Sequence, residues 1–330
     1  MITPGIVKHL TITAILVLAA TNGFAQNEKV YPFTIKGKTD KPVLFGEGVI
    51  STSDDEFGGT FSKDGQTVYF SKSVPGSYLY TICYSEFKEG KWTTPEIMPF
   101  SGLYRDFDPV LSPDGNTMLF ASDRPAGTAI KNDYDIWMVK KTAAGWSEPQ
   151  RLPAPINTEY DEHFASMAAN GNIYFSSTRP DSKGNDIGSD VYRCRLVNGT
   201  YQTAEHLDSV STEAFELDVI VAPDESYLLI GANGRPDGLG GFDIFISKNK
   251  NGSWSKAENI GPLINTQFRD YSPRISPDGK YLFFTSEKDF TTTGILKPPY
   301  KYKKLMDSFH GTLNGLGNIY HVELSAVIKP

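Results

Sequence analysis

The chain has 330 residues, 39% of them hydrophobic and 12% aromatic, with 30 Gly and 21 Pro. That is enough for a sizeable core and suits a turn-rich all-β protein running to this length as one domain. The formal net charge is −7 with no basic stripe, which excludes nucleic acid as the expected partner.

Lys8 and His9 precede a short apolar run, Leu10 to Ala20, then Gly23-Phe24-Ala25. A positive start, an apolar middle and small residues at the end describe a secretory signal peptide over 1–25, cut after Ala25. The run is too short to span a bilayer. The expectation is therefore a periplasmic or secreted protein with no membrane span and a single domain over 26–330. Cys83 and Cys194 are the two cysteines. They fall in repeats that are not adjacent, so buried thiols are expected rather than a disulfide.

The next organised feature is a repeat. From Phe100 to Arg124 the chain reads as a loop, an apolar strand ending at Leu111, the turn Pro113-Asp114-Gly115, a second apolar strand (Met118 to Ala121) and a terminal Arg. An Asp-Gly or Asn-Gly turn between apolar runs is a strong hairpin signal. Equivalent turns stand at Asp64-Gly65, Asn170-Gly171, Asp224-Glu225 and Asp278-Gly279, spaced by 50, 56, 54 and 54 residues. Self-similarity at this period signals a propeller or solenoid. First strands are expected at Gly59 to Ser62, Pro109 to Ser112 and Pro273 to Ser276. Third strands carry Asp or Asn, a β-branched residue and an aromatic (Asp135-Ile136-Trp137, Asp190-Val191-Tyr192, Asp243-Ile244-Phe245, Asn318-Ile319-Tyr320), with Tyr78-Leu79-Tyr80 in the first repeat. Fourth strands open at Gly-x-aromatic segments such as Gly252-Ser253-Trp254.

Four antiparallel strands per repeat without helical periodicity predict an all-β, five-bladed β-propeller. The fifth repeat stops after its third strand, and Val43 to Ile50 resembles the missing fourth. An N-terminal strand completing the last blade removes the free sheet edges. Residues 289–317 read as a long loop inside blade five.

A second motif joins the blades: an apolar residue, Asn or Ser, usually Thr, three variable positions, then an acid. The acids are Glu56, Asp106, Glu162, Glu216 and Asp270. The turns resemble those of the TolB-like (WD-repeat-like) β-propeller repeats of exported bacterial proteins, whose hallmark is Ser-Pro-Asp-Gly before an aromatic strand. Ser112-Pro113-Asp114-Gly115 and Ser276-Pro277-Asp278-Gly279 match it directly. TolB itself has an extra N-terminal domain and six blades. The resemblance therefore implies an exported propeller that binds more often than it catalyses.

Hairpin symmetry sets each acid near a cation: Arg124, Arg179 or Arg235, with Lys72 and Lys288 in blades one and five. Five structural ion pairs, or carboxylates accepting backbone N–H bonds that tie blade to blade, are the expected reading, set against a ring of carboxylates around the channel mouth that binds a cation or a polyol. Pairing with Arg would hold the carboxyls low. Residues that break the repeat are better ligand-site candidates: Asp108, His163, Asp218 and Arg274, together with Lys297, Tyr300 and Tyr302 of the blade-five loop. The main functional reading is a non-catalytic, monomeric binding propeller for an envelope protein or glycan. It would use the face that carries the inter-blade linkers and the loops from second to third strands. The alternative is a glycoside hydrolase with Glu56, Asp106 and Glu162 as acid and base, which needs carboxyls about 5–9.5 Å apart with split pKa values. A third reading is a scaffold stabilised by Ca²⁺ on those acids or on Asp237 and Asp243; no other cofactor is expected.

Overall fold

A computed structural model describes residues 1, 30–37, 39–74, 79–126, 133–180, 188–291 and 297–328. Met1 apart, the expected signal peptide lies outside the described residues. All elements below belong to the unit Tyr31–Pro330.

The protein is a five-bladed β-propeller. Blade one runs through Asp55–Phe61, Thr67–Ser73, Tyr80–Lys88 and the short outer pieces Lys91–Trp92 and Glu96–Ile97. The other innermost strands are Asp106–Leu111, Glu162–Met167, Phe215–Val221 and Asp270–Ile275. Each packs on the innermost strand of the next blade, and the fifth returns to the first, so the ring is closed. Closure uses the predicted N-terminal strand: Val43 pairs with His321 and Leu44 with Tyr320. Phe33, Phe45 and Ile50 are buried there among Phe61, Phe70, Phe283 and Ile319. Apolar side chains from neighbouring blades interlock in this way, so each blade buries what it could not bury alone.

The hairpin turns follow their chemistry. The Ser62 hydroxyl donates to Asp64 (2.6 Å) and accepts from the Thr67 N–H (2.9 Å), while Gly65 takes φ 73°. Glu225 sits in the left-handed region (φ 58°) where most turns have Gly. Its carboxylate accepts from Asn170, Asn172 and Tyr174 of blade three, tying two blades together.

Three expectations are corrected. Innermost strands begin three or four residues earlier than expected, at or beside the acids. The blade-one counterpart of Asp135-Ile136-Trp137 is Thr81-Ile82-Cys83, because Cys83 pairs with Phe70 as Trp137 does with Phe120. Finally, the blade-five loop holds a helix, Tyr302–Phe309, with no buried residue. Tyr302, Leu305, Met306 and Phe309 do fall at i, i+3, i+4 and i+7, but two turns are too short a stripe to stand out inside a Pro- and Lys-rich segment. Cys83 and Cys194 are buried free thiols.

Candidate functional site at the propeller axis

The five linker acids are all fully buried. Asp106 pairs with Arg124 at 2.6 Å, Glu162 with Arg179 at 2.9 Å, Glu216 with Arg235 at 2.9 Å and Glu56 with Lys72 at 2.7 Å. Asp270 instead accepts from the Thr266 N–H and hydroxyl, at 2.6 and 2.7 Å. The same carboxylates cap the linker: the Thr52 and Thr158 N–H groups donate to Glu56 (2.9 Å) and Glu162 (2.6 Å). The linker's Asn or Ser reaches the third strand of the preceding blade, as where the Ile136 N–H donates to Asn157 Oδ1 and Asn157 Nδ2 donates to the Ile136 carbonyl, both at 2.8 Å. One expectation is reversed here. Burial pushes the Asp106, Glu162 and Asp270 carboxyls up, and Glu216 to about 7, despite the cations beside them. Desolvation outweighs Coulomb attraction at these sites. These four carboxyls are therefore not barred from acid chemistry by low pKa values; zero exposure removes them from it.

The residue two after each acid defines the axis. Gly58, Asp108, Phe164, Asp218 and Ser272 all take positive φ, between 47° and 68°. In every blade the ladder slips at that point, for example between Phe107 and Val110. The extra residue makes a β-bulge, which re-aims the side chain and leaves it off the pleat. Four of the five residues are not Gly and so carry backbone strain, which marks this ring as the structure's candidate site.

Asp108, Asp218 and Ser272 are at most 2% exposed. Asp108 ion-pairs with Arg274 across the axis, and the Ser272 hydroxyl donates to Asp218 at 3.0 Å. A Cβ at Gly58 would lie 3.0 Å from Asp108 Oδ1, and one at Gly231 would lie 2.5 Å from Asp218 Oδ2. Both glycines make room for the acids. Burial, with Asp218 nearby, holds the Asp108 carboxyl at about 7 although Arg274 opposes the shift. Below this layer, Arg274 joins Thr60, Val110, Ser166 and Ile220 around a cavity of about 410 Å³ that opens on the turn face.

Above the layer, on the linker face, Phe57, Phe107 and the partly buried Tyr80, Tyr134, Phe164 and Tyr271 form an aromatic cluster. Arg105 stacks over Tyr134 (4.9 Å) while pairing with Asp123 (2.7 Å), and Arg269 stacks over Tyr271 (5.1 Å) while pairing with Glu287 (2.8 Å).

Of the sequence candidates, Asp108, Asp218 and Arg274 gather at the axis. His163 joins the aromatic cluster, 4.7 Å from Phe164 between ring centroids. The Ser176 hydroxyl donates to the His163 carbonyl (3.0 Å), so it accepts from Nδ1–H of the neutral ring. Lys297, Tyr300 and Tyr302 lie exposed in the blade-five loop, where Tyr300 packs on Phe290. Asn314 and Gly317 of the same loop bond to Ser53 and Asp55 at the entry to blade one. Asp243 caps its own loop, accepting from the Leu239 and Gly240 N–H groups at 2.6 and 3.1 Å. Among the described residues no group of three or more His, Cys, Asp and Glu is placed to hold a metal ion, and no helix is long and apolar enough to cross a membrane.

Burial pushes His163 down to about 4 from 6.5. A base depressed in the folded state is protonated first in the unfolded chain, so stability is present above pH 6.5 and lost as pH falls toward 4. His163→Phe should flatten that acid limb by roughly 1–3 kcal/mol, read by urea denaturation at pH 7 and pH 4.5. An unchanged limb would assign it elsewhere, His321 being the other buried ring held at about 4.

No family model matches the chain, and no curated protein matches it in sequence. Solved structures do. The native arabinanase Arb43A of Bacillus subtilis is 12% identical over 85% of this chain and 97% of its own, with a TM-score of 0.51. An inulosucrase of Halalkalicoccus jeotgali bound to kestose is 13% identical over 88% and 90%, with a TM-score of 0.47. A puromycin-hydrolysing peptidase of Mycobacterium tuberculosis is 12% identical over 80% of this chain, with a TM-score of 0.41; the chain spans 41% of its length. At these identities the likeness is one of fold.

Proposed function

We propose that the chain is an exported propeller that binds a glycan at the axial mouth of the linker face without cleaving it. The observation that carries this reading is the layering at the axis. Half-buried aromatics stand outermost, while the carboxylates beneath them are sealed and engaged. Aromatic faces accept the apolar face of a sugar ring, and the Arg105–Asp123 and Arg269–Glu287 pairs beside them offer donors and acceptors for its hydroxyls. A few polar groups among aromatic walls is the composition of a small-molecule site. Export to the periplasm or medium, and kinship with the TolB-like repeats, belong to the same proposal.

A second reading is glycoside hydrolysis, favoured by one observation: Asp108 is held at about 7 beside a second axial acid, Asp218. Hydrolysis requires both carboxyls to meet substrate, and neither is exposed enough to do so.

Electrophoresis through polysaccharide-loaded gels tests binding. Retardation by at least one polysaccharide is expected, falling about fivefold or more in apparent affinity for Tyr134→Ala, since one stacked ring contributes about 1 kcal/mol or more. Retardation indifferent to Tyr134→Ala and Tyr80→Ala would overturn the assignment of the mouth.

A further inference from the structure

Blade one departs from its siblings at one place in space. In blades two, three and four a guanidinium lies over an aromatic ring of the third strand: Arg124 over Trp137 at 5.3 Å, Arg179 over Tyr192 at 5.1 Å and Arg235 over Phe245 at 4.7 Å. In blade five Lys288 lies over Tyr320 at 4.8 Å. These cation–aromatic plugs fill the space between the linker and the third strand. The ladder registers give the blade-one equivalents. Glu56 pairs with Lys72 as Asp106 pairs with Ser122, so Val74 stands at the Arg124 position. Phe70 pairs with Cys83 as Phe120 pairs with Trp137, so Cys83 stands at the ring position. The outer wall is cut back as well: Cys83 faces Ile97 where Trp137 faces Arg151, and Arg151 is bonded to Asp135 at 2.6 Å.

Where the plug is missing there is a cavity of about 630 Å³, lined in part by Val49, Lys72, Val74, Cys83 and Ile97. That volume lies within the range of ligand sites, roughly 300–1,000 Å³. Its walls are mainly apolar, with the hydroxyl residues Thr52, Ser73, Thr81 and Thr94 among them, and Val74 and Ile97 are 59% and 55% exposed at its mouth. Its polar end is the Lys72 ammonium, held between Asp54 at 2.8 Å and Glu56 at 2.7 Å. One cation between two carboxylates leaves a local charge of about −1, which favours a further cation and disfavours an anion.

We propose that this cavity is a second ligand site, distinct from the axial mouth, that takes an arylalkyl amine or guanidine. Such a ligand supplies the ring that the other four blades supply from their own side chains, and carries a cation that adds to Lys72 in the Asp54–Lys72–Glu56 cluster. The ring occupies the space left by Cys83, and the cation lies past the Lys72 end of the cavity, against the exposed carboxylate of Asp54. The site does not depend on the glycan reading, because it shares no residue with the axial cluster.

The test uses 4-phenylbutylamine and phenylbutylguanidine as probes, with 4-phenylbutyrate as the charge-reversed counterpart, in calorimetric titrations of the full chain. The expected result is saturable one-to-one binding of the cations with Kd at or below about 1 mM, and at least about tenfold weaker binding of the carboxylate. Cys83→Tyr restores the ring of blade three and should abolish cation binding. Val74→Arg restores the guanidinium from an exposed position and should weaken it at least tenfold, which covers the case in which the core variant does not fold. Absence of saturable binding by either cation, equal binding of the carboxylate, or cation binding unchanged in both variants would each overturn the proposal.

Discussion

Removing residues 31–50 is expected to leave a chain that does not fold, and Phe45→Ala in the intact chain is expected to cost about 3–5 kcal/mol. The truncation takes away the fourth strand of blade five and exposes the edge of Asn318–Glu323. It also takes Phe33, Phe45 and Ile50 out of the cluster that joins blade one to blade five. Phe45 meets Phe61, Trp92, Phe283 and His321 with ring centroids 5.3–5.6 Å apart, so its deletion leaves a cavity lined by rings that cannot all close on it. Rigid cores relax only partly, and the unfilled volume adds to the lost transfer energy. Circular dichroism of the truncated chain and urea denaturation of Phe45→Ala check both effects. A truncated chain with a cooperative transition near that of the intact protein would mean the ring does not depend on its clasp.

Arg235→Met is expected to destabilise by about 3–5 kcal/mol, the range for removing one partner of a buried pair. Arg235 is the most enclosed of the blade cations, with its side chain 2% exposed and Glu216 at 0%. It donates to Glu216 through Nε and Nη2 at 3.2 and 2.9 Å. Its loss strands a carboxylate whose second oxygen already has no partner among the described residues. The pH dependence carries a sign. Glu216 stands at about 7 in the fold against 4.5 ordinarily, so between these values the folded state keeps a proton that the unfolded chain has lost. Stability therefore falls as pH rises through that window. Without Arg235 the carboxyl moves further up, and the penalty of the substitution should shrink as pH drops from 8 to 5. A penalty below about 1 kcal/mol, or one that grows on acidification, would place the pair among weak surface bridges.

The parts of this fold that were legible in the sequence are those fixed by local chemistry. Ser-x-Asp-Gly turns announce their own hydrogen bonds, and Val43–Leu44 could be found because the fifth repeat lacked a partner for its last strand. Innermost strand starts are not legible because a left-handed residue two after each acid interrupts the alternation on which strand reading depends. The axial cluster was half visible: Asp108, Asp218 and Arg274 stand out as breaks in the repeat, but nothing local says that Gly58 and Gly231 exist to admit those acids. Burial energetics were not legible at all. Pairing with Arg suggested low carboxyl pKa values, whereas complete desolvation turns the shift upward. The blade-one cavity is not legible in the sequence because Tyr78-Leu79-Tyr80 imitates the third-strand pattern; Cys83 becomes the absent ring only once the ladder registers are known.

The central claim is that the axis binds a saccharide at its aromatic mouth while the carboxylates below serve the scaffold. Its most direct test is to incubate the full chain with each polysaccharide that retards it and to assay reducing-end release. Retardation without release above the protein-free rate, unchanged by Asp108→Asn, is the predicted result. Release that Asp108→Asn or Asp218→Asn abolishes while the protein stays folded would contradict it and make the axial pair catalytic.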